Sequence, residues 1–378
     1  MKTLALLMIP VVAACGRMGF DQSAGPDGTS DAAIDRLHLM CGAPARFSVG
    51  ATTSRLAAAS TPGGYNVFTV DDTGEVRGFT YELTTGTPVA QLDNVAITSN
   101  ANGPLGSIAL GDKLLLAVPY GRPVATGTQL VPLDAQLATR GQPTMQDGWF
   151  GSFNTLAATG SGTLAFLGQL GNGEVDAKLV SPLGVDLGAP HPVIDQADGA
   201  SLPTILPTAT GFVVVWAANA PSPNEVHAEL LDAQLAIQTP ATTVSFPTQF
   251  DAEVPRIGYS TTSGTYMFAW VEKTGQGDQI WVSLRDASLN ESQHLKIGSG
   301  YAPAIVAGDN DFLVVWEDGS QLDAARITMG GQVTPLSILG SGGKFAAWDL
   351  VVHNGQPAVV WAETGGTGAN LWLDPLCN

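Results

Sequence analysis

The chain has 378 residues, 16 of them Lys or Arg and 34 Asp or Glu, giving a formal net charge of −18. Nucleic-acid binding needs a basic footprint that displaces counterions from phosphates. No basic run exists here, so that class is excluded, and the acidity serves solubility instead.

The chain opens with Lys2 and an apolar stretch, Leu4 to Ala14, of 11 residues. A spanning helix needs about 20, so the stretch suits the h-region of a signal peptide. It ends in Val12-Ala13-Ala14-Cys15, small residues and then cysteine. This start resembles the lipobox of bacterial lipoproteins. The resemblance implies that residues 1–14 are a signal peptide and that the Cys15 sulfur is lipidated. It also implies that the mature chain is held at a membrane of the bacterial cell envelope. Gly16 stands where some members of that family carry an inner-membrane retention Asp, which implies the outer membrane. An ordinary secretory signal is the plain alternative.

Residues 16–35 hold Gly, Ser, Asp, Pro and Ala with almost no large apolar side chains. Such a segment cannot bury enough surface to offset its ordering entropy. Residues 15–40 are therefore expected to be a lipidated flexible linker. Asp21, Asp27, Asp31 and Asp35 lie along it without the loop spacing of an EF-hand, which reads as solvated linker.

From Cys41 the chain repeats. Gly211-Phe212-Val213-Val214-Val215-Trp216 returns as Thr265-Tyr266-Met267-Phe268-Ala269-Trp270. It returns again as Asp311-Phe312-Leu313-Val314-Val315-Trp316 and as Pro357-Ala358-Val359-Val360-Trp361. Weaker copies lie at Tyr65 to Thr69, Lys113 to Ala117 and Thr163 to Leu167. Short β-branched and aromatic runs bounded by Gly or polar residues predict buried strands. Marked at the Trp position, the copies fall at 69, 117, 167, 216, 270, 316 and 361, in steps of 48, 50, 49, 54, 46 and 45 residues. A period in this range signals a propeller or a solenoid. Each unit adds a shorter strand before the marked one (Pro203 to Leu206, Pro303 to Val306). An alternating strand follows it (Val226 to Leu230, Leu322 to Ile327), and then a fourth run (Gly331 to Thr334). Four strands per unit, with turns rich in Gly, Pro, Asn and Asp, are what a propeller blade requires.

The pattern resembles the seven-bladed β-propeller repeats of secreted bacterial proteins and lipoproteins. The implied fold is all-β, one seven-bladed propeller of four-stranded antiparallel blades over residues 41–378. The seventh unit stops soon after its third strand, Asn370 to Leu373. The segment Ala43 to Val49 is similar to the fourth strand at Ala189 to Ile194. The N-terminal strand is therefore expected to complete the last blade and to bring Cys41 beside Cys377. A disulfide there closes a loop of 337 residues, and chain entropy puts its effect at roughly 5–6 kcal/mol, an upper figure. Two separate buried thiols are the alternative.

Motifs that carry chemistry are scarce. There is no Gly-x-Ser-x-Gly, His-Glu-x-x-His or Cys-x-x-Cys. Gly340-Ser341-Gly342-Gly343-Lys344 lacks a Ser or Thr after the lysine and reads as a turn. The five histidines, His38, His191, His227, His294 and His353, are not paired at metal-ligand spacing. The sequon Asn290-Glu291-Ser292 reads as accidental. Trp216, Trp270, Trp316 and Trp361 offer either a sugar platform or packing between blades, and their position at strand ends favours packing. Asp71, Asp72, Glu272, Glu317 and Glu363 follow marked strands and are expected on one rim. There they act as plain turn acids or as a site for Ca²⁺ or a cationic partner. No other cofactor is expected. The expected function is a membrane-anchored, non-enzymatic scaffold that binds protein or glycan. The rival is a glycan-active hydrolase or lyase with its site at the axial mouth.

Overall fold

Each run that ends at a marked position is the second strand of a four-stranded antiparallel sheet. The computed structural model describes residues 37–38, 45–49, 53–71, 73–84, 87–99, 101, 103–122, 125–150, 155–170, 174–194, 200–218, 223–246, 249–319, 321–339, 344–365 and 368–376. Among these residues there are strands and turns and no helix. Blades 1 to 6 occupy 53–98, 106–147, 156–194, 200–243, 251–299 and 301–339, and blade 7 occupies 344–375 plus Ala45–Val49. Trp149–Phe150 adds a short strand to blade 3. The innermost strands are Thr53–Thr61, Gly106–Leu110, Leu156–Ala158, Ala200–Pro207, Asp251–Ser260, Tyr301–Ala307 and Lys344–His353. Each lies against the next, and the seventh lies against the first, so the sheets form a closed ring.

The second strands are apolar on both faces because each face meets a different neighbour. In blade 4, Phe212, Val214 and Trp216 pack with blade 3. The alternate residues Val213 and Val215 pack with blade 5. Seven such cores exist among the described residues, one per pair of neighbouring blades, including the pair 7 and 1. Trp216, Trp270, Trp316 and Trp361 are 2%, 2%, 4% and 2% exposed, each facing the preceding blade. They are packing residues and offer no sugar platform. Each indole contributes a few kcal/mol by leaving water. The fit is tight: a Cβ on Gly298 of blade 5 would come within 2.5 Å of Trp316 Cζ2.

The ring closes as expected. Ala45–Val49 pairs antiparallel with Gly368–Pro375, from Ala45 opposite Leu373 to Val49 opposite Ala369. The N-terminal strand is thus the outer strand of a blade whose other three strands come from the C-terminal end. At the adjoining seam, Asp349 Oδ2 accepts the Ala58 N–H at 2.9 Å. Ser60 Oγ meets His353 Nδ1 at 2.8 Å, and the same imidazole packs on Tyr65 with ring centroids 5.3 Å apart. Within the stretch expected as linker, Leu37–His38 pairs parallel with the outer strand of blade 6, Leu37 opposite Leu336.

Two features repeat that the strand pattern does not announce. Leu202, Val254 and Ala302 sit at φ of 50°, 51° and 49°, each inside a register shift at the start of an innermost strand. Each precedes a proline (Pro203, Pro255, Pro303), which has no N–H to lose from the ladder. A non-glycine residue held there costs about 1–2 kcal/mol. The second feature is the turn after the third strand. Asp134, Asp232 and Asp286 each accept two backbone N–H groups, two and four residues on, at 2.8–2.9 Å. The leucine three residues on (Leu137, Leu235, Leu289) has φ of 64°, 69° and 65° and is 2–3% exposed.

Some buried groups are ill at ease. Burial pushes the Glu229 carboxyl up to about 7, against a backbone hydrogen bond from Ala241, and pushes Asp374 up to about 7. Among the described residues neither Asp374 oxygen has a partner, nor does Glu229 Oε1. Burial likewise raises Asp349 to about 6. These values lie above those of the unfolded chain. The carboxyls therefore favour folding fully below about pH 4 and lose that contribution as pH rises through about 6–7. Burial lowers His294 and His353, whose opposing effect begins only below about pH 6.5.

Two outcomes are expected. Between about pH 8 and 6.5 only the carboxyls act, so Tm rises by a few degrees as pH falls. The double variant Glu229→Gln, Asp374→Asn raises Tm at the upper end and flattens the profile; thermal unfolding of both proteins across that window measures it. Ala302→Gly relieves a left-handed alanine and leaves stability unchanged or raised by up to about 1 kcal/mol. Ala304→Gly, in the same strand beyond the bulge, lowers it by about 0.5–1 kcal/mol. Denaturant titration of the pair reads the difference.

Candidate functional site

The acids expected on one rim lie at or near the ends of second strands of four blades. Asp71 closes its own turn: Oδ1 accepts from Thr73 N at 2.9 Å, Thr73 Oγ1 at 2.6 Å and Glu75 N at 2.9 Å. Burial opposes its ionisation, yet these bonds and Arg77 outweigh burial and hold the carboxyl below its usual range. Glu272 in blade 5 is 5% exposed. Glu317 in blade 6 stands opposite Tyr301, and burial raises its carboxyl. Glu363 in blade 7 accepts the indole N–H of Trp361 at 3.3 Å and of Trp372 at 3.1 Å. Asp71 and Glu363 are engaged locally, whereas Glu272 and Glu317 make no side-chain hydrogen bond or ion pair among the described residues. Among the described residues no three His, Cys, Asp or Glu side chains gather as a metal would require. Asp72, Cys15, Cys41 and Cys377 lie outside the described residues.

The histidines are dispersed. His227 stacks on Trp216 at 5.7 Å, and His294 packs between Phe246 at 3.5 Å and Trp281 at 5.3 Å. His353 belongs to the seam.

Ring closure brings other residues together. Take the innermost-strand residue paired with the position just before each marked one. The set is Ala57, Ser107, Leu156, Thr204, Arg256, Ala304 and Asp349, one from each blade. This rung holds a single cation and a single anion. Arg256 is 9% exposed and donates from Nη1 to Pro255 O at 2.9 Å. Desolvation pulls its guanidinium down to about 10, and the charges of Asp349 and Tyr301 oppose that. Asp349 holds the Ala58 N–H on Oδ2 and the Leu350 N–H, at 2.8 Å, on Oδ1. Ser107 Oγ donates to Ala58 O at 3.0 Å, extending the polar chain into blade 2.

One step toward the mouth, opposite the position just after the mark, stand Arg55, Ser201, Glu253, Tyr301 and Ala347. Glu253 and Tyr301 each immediately precede a strained bulge residue, and a bulge re-aims the side chains beside it. Tyr301 is 42% exposed. Lys273 Nζ binds Glu253 Oε2 at 2.7 Å. That bond, with Tyr301 and Asp278 nearby, raises the ammonium above its usual range. Tyr301 thus lies in the field of both Arg256 and Lys273. Arg55 is partly buried and makes no hydrogen bond or ion pair among the described residues.

No family model matches the sequence, and no curated protein matches it. Solved structures do match in fold. A polysaccharide lyase, Uly1, aligns with a TM-score of 0.54 at 10% identity, over 87% of this chain and 91% of its own. The virginiamycin B lyase of Staphylococcus aureus aligns with a TM-score of 0.53 at 11% identity, over 89% and 99%. BBS1N, in complex with ARL6DN, aligns with a TM-score of 0.52 at 10% identity, over 90% and 97%. At such identity the likeness establishes the propeller fold and nothing finer.

Proposed function

We propose that the chain is a lipid-anchored binding scaffold of the bacterial envelope, held through Cys15 and presenting the faces of its propeller to a protein or glycan. The observation that carries this reading is the state of the axis. Its charged rung, Arg256 and Asp349, is engaged with backbone groups of the ring. Both ends of the ring meet in blade 7, and residues 37–38 run beside blade 6.

Affinity capture with the intact protein from its own envelope should recover a stoichiometric protein or glycan; recovery of none overturns the scaffold. Cys15→Ser should move the protein from the membrane to the soluble fraction. A wild-type protein that already fractionates as soluble removes the anchor.

The disulfide belongs to the same proposal. Its support is that Ala45, paired with Leu373, stands four residues from Cys41, as Leu373 does from Cys377. Intact mass without reductant should show the bridge, and two free thiols would refute it.

A second reading has one observation in its favour. Tyr301, exposed beside Lys273 and Arg256, is the type of group that serves as a base in β-elimination next to a neutralised carboxylate. Two of the structures alike in fold are called lyases. Incubation with an acidic polysaccharide should then give unsaturated, ultraviolet-absorbing products that Tyr301→Phe abolishes. The scaffold reading expects no product.

A further inference from the structure

We infer that a cavity on the face where the innermost strands end binds a neutral sugar residue of a glycan. It lies between the first turns of blades 5 and 6 and reaches the first turn of blade 7. The inference rests on the binding-scaffold reading and gives it a ligand class.

The first support is a formed cavity whose walls touch one another. Thr261 and Thr262 of blade 5, Asp309, Asp311 and Arg326 of blade 6 and Gly355 of blade 7 line a space of about 340 Å³. Small-molecule sites begin at about 300 Å³. Across the blade boundary Thr262 Oγ1 donates to Asp309 Oδ1 at 3.4 Å, and Ser263 Oγ donates to Met329 Sδ at 3.5 Å. Asp311 O accepts the Gly308 N–H at 2.8 Å. A Cβ on Gly308 would come within 2.7 Å of Asp311 Oδ1, so the glycine lets that carboxylate sit close. A Cβ on Gly355 would meet nothing within 4 Å, so that side is open to an incoming group.

The second support is the charge balance, which disfavours ions. Arg326 Nη1 donates to Asp311 Oδ2 at 3.2 Å. Of the charged groups along the cavity, that leaves Asp309 uncompensated. An anion would meet net negative charge and a guanidinium already engaged. A metal ion takes several oxygen ligands, and among the described residues no third acid or histidine joins Asp309 and Asp311. An organic cation is held by aromatic faces. Tyr259 is the single ring among the described lining residues, and it lies against Tyr266 with centroids 4.7 Å apart.

The third support is the chemistry that remains. Thr261, Thr262 and Asn310 are exposed along the cavity, and each both donates and accepts. Asp309 accepts on two oxygens. A sugar hydroxyl is likewise donor and acceptor at once, and two neighbouring hydroxyls can place both protons on one carboxylate. The Thr262 to Asp309 bond is long, so a ligand hydroxyl exchanges for it at little cost.

The test is a calorimetric titration of the full folded chain with cellotetraose, maltotetraose, galactotetraose and mannotetraose, each at low and at high salt. Calcium chloride and trilysine are run beside them. At least one of the sugars should bind, with an affinity that salt leaves unchanged because the ligand carries no charge. Asp309→Ala should weaken it roughly tenfold. Thr261→Trp, which fills the cavity from an exposed position, should abolish it. Lys113→Gln, an exposed residue of blade 2, should change nothing. Unchanged unfolding midpoints confirm that the variants are folded. No binding of any of these sugars, binding that salt weakens, or full affinity in either cavity variant overturns the inference. Tighter binding of calcium or trilysine, lost in Asp309→Ala, assigns the cavity to a cation and overturns it as well. If every sugar fails while envelope capture still recovers a stoichiometric partner, this inference falls and the scaffold stands.

Discussion

A sheet that is apolar on both faces must be covered twice. A row of such sheets always leaves two faces bare unless its last member meets its first. Here the seventh sheet meets the first through a full apolar core, with Tyr65, Phe79 and Tyr81 from one side and Val351, Val360 and Leu373 from the other. That seam is also where the chain begins and ends its fold, so it cannot rely on a covalent connection between consecutive strands. It relies on the pairing of Ala45–Val49 with the C-terminal strand and on polar ties from Asp349 and His353 to blade 1. The same closure constraint explains the tryptophans. Blades diverge outward, and a large ring on the second strand fills the wedge toward the preceding blade.

Closure has a second consequence at the axis. Seven innermost strands converge there, and their side chains are drawn into one narrow column whatever their distance in sequence. Arg256 and Asp349 lie far apart along the chain but share a rung. Each would be costly alone in such a place. With backbone partners they are tolerated, and Asp349 ties blade 7 to blade 1. The strained residues ahead of Pro203, Pro255 and Pro303 belong to the same geometry. The inner strand must bend as it enters the column, and a bulge supplies the bend.

The acids tell the complementary story. Of those nearest the rim, Asp71 caps its own turn and Glu363 accepts two indole N–H groups. The acids with the most disturbed ionisation, Glu229 and Asp374, lie within blades, where among the described residues no partner reaches either Asp374 oxygen or Glu229 Oε1. Function in such a fold follows from what the column collects, since the blades themselves are interchangeable packing units.

The blade count, the identity of the buried second strand and the completion of the last blade from the N-terminal side were all legible in the sequence. They depend on hydrophobic period and turn spacing, which are local and repeat seven times. The Asp-Ala-x-Leu turns at Asp134, Asp232 and Asp286 were equally local. They went unread because a buried leucine in a left-handed conformation has no hydrophobic period of its own. The acids after the marked strands could be placed at strand ends, but not their separate engagements. The rungs of the axis were beyond reach. Which of Arg55, Arg256, Glu253, Tyr301 and Asp349 stand level with one another depends on bulges that shift each inner strand by a residue, and on a ring that closes over 300 residues of chain. Neither is encoded in any one segment, and only the assembled ring fixes them.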